Sequence, residues 1–123
     1  TAIYIAIEAD HPKACFLGDA YHTYKGGSGF DGIKLLSANA LYCYHMNDYP
    51  ADPPRETIRD EHRVYPGDGI APLTRLFKNF MSVGATPALS LEVFNREYWK
   101  QDALKVAKTG LAKMKAEAAK ALA

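Results

Sequence analysis

The sequence lacks any apolar run near the roughly 20 residues that a membrane-spanning helix needs. No membrane-spanning helix is expected within these residues. Cysteine is scarce: only Cys15 and Cys43 occur among 123 residues. Both sit in apolar runs, so a disulfide-stapled secreted scaffold is excluded and both are expected as small core residues. A reducing cytoplasm is the expected compartment. Charge of one sign is also missing, since Lys+Arg 15 against Asp+Glu 14 leaves a net charge of +1. No global field draws this chain to nucleic acid. No basic segment followed by an apolar core opens the sequence, so no signal peptide is expected. What remains, 48% hydrophobic and 24% charged residues, is an ordinary globular composition at a length that suits one domain.

The residues that are present alternate between two periodicities. Ala2 to Ala9 has helical spacing at Ile3, Ala6 and Ile7, and resembles the tail of a helix that His11-Pro12 ends. Ala14 to Leu17 is a short apolar run expected as a strand leading into Gly18-Asp19-Ala20-Tyr21-His22. Lys25 to Gly29 is a glycine-rich loop, and Phe30 to Ala38 suits a short helix. Ala40 to Met46 is nearly all apolar, as a strand covered on both faces would be. Tyr49 to Ile70 is a long connector with four prolines (Pro50, Pro53, Pro54, Pro66), a length that points to a functional or mobile loop. Leu73, Leu76, Phe77, Phe80 and Met81 recur as on an amphipathic helix that Gly84 closes. Ala88 to Phe94 alternates as a strand, with Ser90, Glu92 and Phe94 on one face. Asp102 is an N-cap for a last helix with the apolar stripe Leu104, Ala107, Leu111, Met114 and Ala118. The lysines Lys105, Lys108, Lys113, Lys115 and Lys120 fall mostly off that stripe, on what reads as a solvated face.

Helix tail, strand, helix, strand, helix, strand, helix is the order of βαβ units on a parallel sheet. Each strand ends in polar residues. Asp19 closes the first, His45 lies near the end of the second, and Glu92 near the end of the third. Ligands of α/β folds bind at the carboxyl ends of the strands, so these three side chains would stand together. A carboxylate such as Glu92 between Leu91 and Val93 must be paired or bound to something. Two carboxylates and an imidazole form an oxygen-rich set suited to Mn²⁺, Mg²⁺ or Co²⁺, with Zn²⁺ also admissible.

Four stretches carry a resemblance: GDAYH (Gly18 to His22), YHMND (Tyr44 to Asp48), HRVYPGDG (His62 to Gly69) and SLEVFN (Ser90 to Asn95). They occur in this order in the xylose-isomerase-like TIM-barrel superfamily. The chain is most similar to its sugar phosphate isomerase/epimerase group, which includes D-tagatose 3-epimerases, hydroxypyruvate isomerases and inosose dehydratases. The resemblance implies an α/β fold that is the C-terminal part of a (β/α)8 barrel: about three parallel βα units and the tail of a preceding helix. Residues 1–123 would form a single partial barrel domain whose N-terminal half is absent from this chain. The family's divalent metal is held by Glu, Asp, His and Glu. Asp19, His45 and Glu92 match the last three, and the first Glu would lie upstream of Thr1. Glu92 and His22 are implied as catalytic, Glu92 as an acid–base carboxylate and His22 as a donor to a substrate oxygen that gains charge. His22, Arg63 and Asp48 are implied as substrate-binding.

The activity implied is metal-dependent isomerisation or epimerisation of a sugar, sugar phosphate or keto-acid sugar by proton transfer next to a carbonyl, through an enediolate. Alternatives are a keto-inositol dehydratase-like lyase and a non-catalytic half-barrel binding module. An apurinic/apyrimidinic endonuclease needs a trinuclear zinc site, for which four His and a near-neutral charge are a poor match. The implied partner is a small-molecule sugar or sugar phosphate rather than nucleic acid or membrane. Open sheet edges imply a homo-oligomer or association with the missing barrel half. Gly26 to Gly29 is expected as a loop over the site. Trp99, Tyr98 and Phe94 are expected as an aromatic wall of the pocket, a subunit contact or packing beneath the last helix.

Overall fold

The computed structural model describes residues 2–123. Helix α1 (Ala2–Glu8) ends before His11-Pro12 and leads to strand β1 (Leu17–Asp19). Helix α2 (Ala20–Lys25) starts at once, because Asp19 is its N-cap and accepts a hydrogen bond from the His22 N–H. The glycine-rich loop and 3-10 turns at Phe30–Leu35 and Ala38–Ala40 lead to β2 (Cys43–Met46). After the connector come α3 (Leu73–Ser82), β3 (Ala88–Leu91), a short α4 (Arg96–Trp99) and α5 (Ala103–Leu122). The three strands form one parallel sheet in the order β1-β2-β3, with Asp19 paired to His45 and His45 to Ser90. The expected α/β architecture, three parallel βα units behind a helix tail, is therefore present. No described helix is long and apolar enough to cross a membrane.

Register sorts the side chains by face. Gly18, Tyr44, Met46, Leu89 and Leu91 point toward the helices. There Tyr44 and Met46 join Leu73, Leu76, Phe77, Phe80 and Met114 in the main core. Leu17, Asp19, Cys43, His45, Ala88 and Ser90 share the opposite face, where Leu17 is 53% exposed and Ala88 and Ser90 are exposed. Strand β2 is thus buried on one face only, contrary to the expectation from its unbroken apolar run. Its Cys43 is half-buried and Cys15 is exposed, so neither is a core residue.

The connector 49–70, expected as functional or mobile, is packed: Ile58 is fully buried against Tyr21 and Tyr49, and Tyr65 is buried as well. A further expectation is corrected at the last helix. Helix α5 starts at the expected cap, with Asp102 accepting from the Lys105 N–H at 2.8 Å. However, it buries Gly110, Met114, Glu117 and Ala121 and leaves Leu104 and Leu111 exposed. Gly110 explains the rotation. A Cβ there would lie 2.2 Å from Leu91 Cδ2, so the helix meets β3 at the residue without a side chain.

Candidate metal centre

The site begins with Asp19, the last residue of β1. Its Oδ1 accepts the His22 N–H at 2.9 Å, which turns Oδ2 toward the strand ends. On the neighbouring strand, His45 Nδ1 lies 3.8 Å from that Oδ2 and 3.2 Å from Glu92 Oε2. Glu92 follows β3, where its N–H still donates to the Met46 carbonyl at 3.0 Å. One ligand atom from each of Asp19, His45 and Glu92 lies within 4.8 Å of the other two. The structure therefore brings together the three residues expected from sequence.

Arg63 closes the cluster from the connector. An antiparallel bridge between Asp48 and Val64 fixes the adjacent backbone, and Asn95 Nδ2 donates to the Arg63 carbonyl at 3.0 Å. The guanidinium is sandwiched between Tyr21, 4.5 Å to the ring centroid, and Phe94, 5.1 Å. Nη1 donates to Asp19 Oδ2 at 3.1 Å and to Glu92 Oε2 at 2.8 Å. Nη2 donates to Asp60 and lies 2.8 Å from His22 Nε2. Arginine has no acceptor, so Nε2 of His22 accepts and its proton sits on Nδ1. The Arg63 side chain is 1% exposed and acts in the fold as a counter-ion of carboxylates. The sequence expectation put Arg63 at the substrate; the structure places its guanidinium among these carboxylates and His22.

Asp48, another expected substrate contact, is placed inside a turn. Its Oδ1 accepts the N–H groups of Tyr49 and Ala71, both at 2.8 Å. Its Oδ2 accepts those of Gly67 at 3.0 Å and Gly69 at 3.1 Å. At 1% exposure it organises the Pro-Gly-Asp-Gly turn and presents nothing to a ligand. Gly69 permits this approach, because a Cβ there would fall 2.4 Å from Asp48 Oδ1.

Burial pushes the Asp19 carboxyl above its ordinary value, against the pull of the His22 amide and the Arg63 guanidinium. Burial pushes Glu92 the same way. There the hydrogen bonds to Asp19 and Arg63 and the charge of His45 outweigh it, and Glu92 is held below the usual range.

A cavity of about 370 Å³ opens beside the cluster, lined by Asp19, His22 and His45 together with Phe16, Phe30 and Tyr44. Ser28 and Gly29 of the glycine-rich loop border it. The expected aromatic wall is reduced to Phe94 over Arg63, since Tyr98 stacks on Tyr65 at 4.1 Å and Trp99 is 63% exposed. Three participants escaped the sequence reading: Tyr21 and Asp60, which hold Arg63, and Asn47, fully buried beneath the carboxylates. The signal for Asn47 lay in the H-x-N-D run, where a buried amide beside a strand end needs partners.

No family model matches the chain. Curated relatives do. The chain is 31% identical over 91 residues to the inosose isomerase of Bacillus licheniformis, a match covering 74% of this chain and 32% of that protein. It is 30% identical over 93 residues to the inosose isomerase of Bacillus subtilis (strain 168), 73% of this chain and 33% of that protein. The chain thus spans about a third of the length of the curated relatives it matches. Among solved structures, the IolI protein with a bound zinc atom superposes with a TM-score of 0.88 at 25% identity, covering 95% of this chain and 42% of that one. A xylose isomerase domain protein from Alicyclobacillus acidocaldarius gives a TM-score of 0.75 at 24% identity, over 89% and 38% of the two chains.

Proposed function

From a chain that belongs to the xylose-isomerase-like TIM-barrel superfamily and forms only part of such a barrel, we propose that it carries most of the metal site of a sugar isomerase or epimerase. Residues 1–123 are read as one unit of that barrel. The observation that carries the proposal is the convergence of Asp19, His45 and Glu92 from three adjacent strand ends within 4.8 Å. Two carboxylates and one imidazole fit a divalent cation, and the zinc bound in the similar IolI structure supports a divalent metal. Once bound there, the cation would supply Lewis-acid polarisation of a carbonyl and a neighbouring hydroxyl.

The chain's own groups would do the rest. Glu92, held in its ionised form by Arg63, would take a proton from the carbon beside the carbonyl and return it, through an enediolate. His22, with its proton on Nδ1, would donate to an oxygen that gains charge. Arg63 would hold the two carboxylates in place as their counter-ion. The name shared by the curated relatives favours an inosose-like cyclic ketone as substrate. The same name keeps the keto-inositol dehydratase-like reading as the second one.

The test is calorimetric titration of the natural full-length protein with Mn²⁺ and Zn²⁺, alongside Asp19→Asn and His45→Ala. One ion per chain and a loss of at least tenfold in affinity in each variant is the expected result. No binding to the parent protein would overturn the reading. Turnover of a keto-inositol, followed by proton exchange with deuterated water, separates isomerase from binding module.

A further inference from the structure

One buried polar side chain at the cluster has no part in the chemistry above. Asn47 is 0% exposed and makes three hydrogen bonds, each aimed at a strand end. Its Oδ1 accepts the Tyr21 N–H at 2.8 Å, in the first turn after β1. Its Nδ2 donates to Asp19 Oδ2 at 3.0 Å and to the Glu92 carbonyl at 3.2 Å. An asparagine amide has two N–H donors, and here one goes to each carboxylate-bearing residue of the candidate centre.

The geometry around Asp19 shows what this does. Oδ1 is tied to the His22 N–H and Oδ2 to Asn47. Donors on both oxygens fix the plane of the carboxylate and leave Oδ2 facing His45 Nδ1. The bond to the Glu92 carbonyl acts where the β3 ladder ends, one residue past Leu91. There the Glu92 N–H is held by the Met46 carbonyl, and Asn47 holds the carbonyl of the same residue. Arg63 Nη1 offsets the charge of the two carboxylates, and Asn47 adds a neutral donor whose direction is fixed by its own burial.

We propose that Asn47 is a positioning residue, which sets the carboxylate plane of Asp19 and the backbone of Glu92 so that both face one point with His45. The proposal rests on the reading of these residues as metal ligands. Partners of this kind typically change metal affinity 10–100-fold when removed.

The experiment uses Co²⁺, whose visible absorption reports ligand geometry, on the full-length protein and on Asn47→Ser. Circular dichroism shows that the compared proteins are folded. Asn47→Ser is expected to bind Co²⁺ 10–100-fold more weakly, with an altered band shape even at saturation. A purely structural role would lower the melting temperature and leave the saturated spectrum unchanged. If Asn47→Ser does not fold, Asn47→Leu, which keeps the volume and removes all three bonds, is read in the same way. Parent-like affinity and spectrum in a folded variant overturn the positioning role alone. A parent protein that binds no Co²⁺ overturns the metal reading, and the positioning role with it.

Discussion

Asp48 shows how one carboxylate can replace a stretch of secondary structure. Four backbone amides, from Tyr49, Gly67, Gly69 and Ala71, converge on its two oxygens. In Asp48→Asn one oxygen becomes an N–H₂ that faces N–H donors, and two amides lose their acceptor. The variant should lose at least about 2 kcal/mol of stability, read as a lower urea midpoint at unchanged slope. Its neighbour Tyr49 is buried and stacked on Tyr24 at 4.0 Å. Burial, reinforced by the charge of Asp48, pushes the Tyr49 phenol up to about 12. An unfolded tyrosine ionises near pH 10. The folded state therefore holds the proton more tightly. This contribution is complete below pH 10 and is lost as the pH rises toward 12. Urea midpoints measured from pH 8 to 12 should fall across that window, and Tyr49→Phe should reduce the fall.

At the scale of elements, Gly18 carries a constraint of its own. The Tyr44 ring lies across it, and a Cβ would meet Tyr44 Cε2 at 2.2 Å and Phe16 Cε1 at 2.9 Å. Gly18→Ala should cost about 1–3 kcal/mol by overpacking and lower the melting temperature by several degrees in a thermal scan. Element types were legible because periodicity reports burial. Leu73, Leu76, Phe77 and Phe80 mark the inner face of α3 and are buried there, while Met81 at the edge of the same stripe is exposed. Boundaries were less legible. The first strand closes at Asp19 as expected but starts at Leu17, three residues after Ala14, since strand pairing with Cys43–His45 is a tertiary choice. The stripe of α5 was misread because hydrophobicity gives no weight to glycine. Gly110 sets the contact with Leu91 and turns Leu104 and Leu111 outward. At the site, Asp19, His45 and Glu92 were legible from their places at strand ends. Neither the enclosure of Arg63 nor the role of Asp48 was, because both depend on how a 22-residue connector without regular strands folds back.

At the scale of the molecule, the described residues form a sheet with two unpaired edges, β1 and β3, and one face that no described helix core covers. Exposed parallel edges are templates for further pairing. The isolated 123-residue chain should therefore sediment above monomer mass at micromolar concentration. Addition of the remaining barrel segment as a separate chain should convert it to a single smaller species. A monomeric, cooperatively folding chain would show that the edges need no cover.

The placement of Arg63 among Asp19, Asp60 and Glu92 also ties the connector to the strand ends. One guanidinium from the connector donates to a carboxylate that closes β1 and to another that follows β3. Drawing the connector away would strip Asp19, which is 7% exposed, of its arginine partner, and a buried polar group that loses a partner is costly. The connector is in this sense a clasp, kept shut by what its opening would leave unpaired.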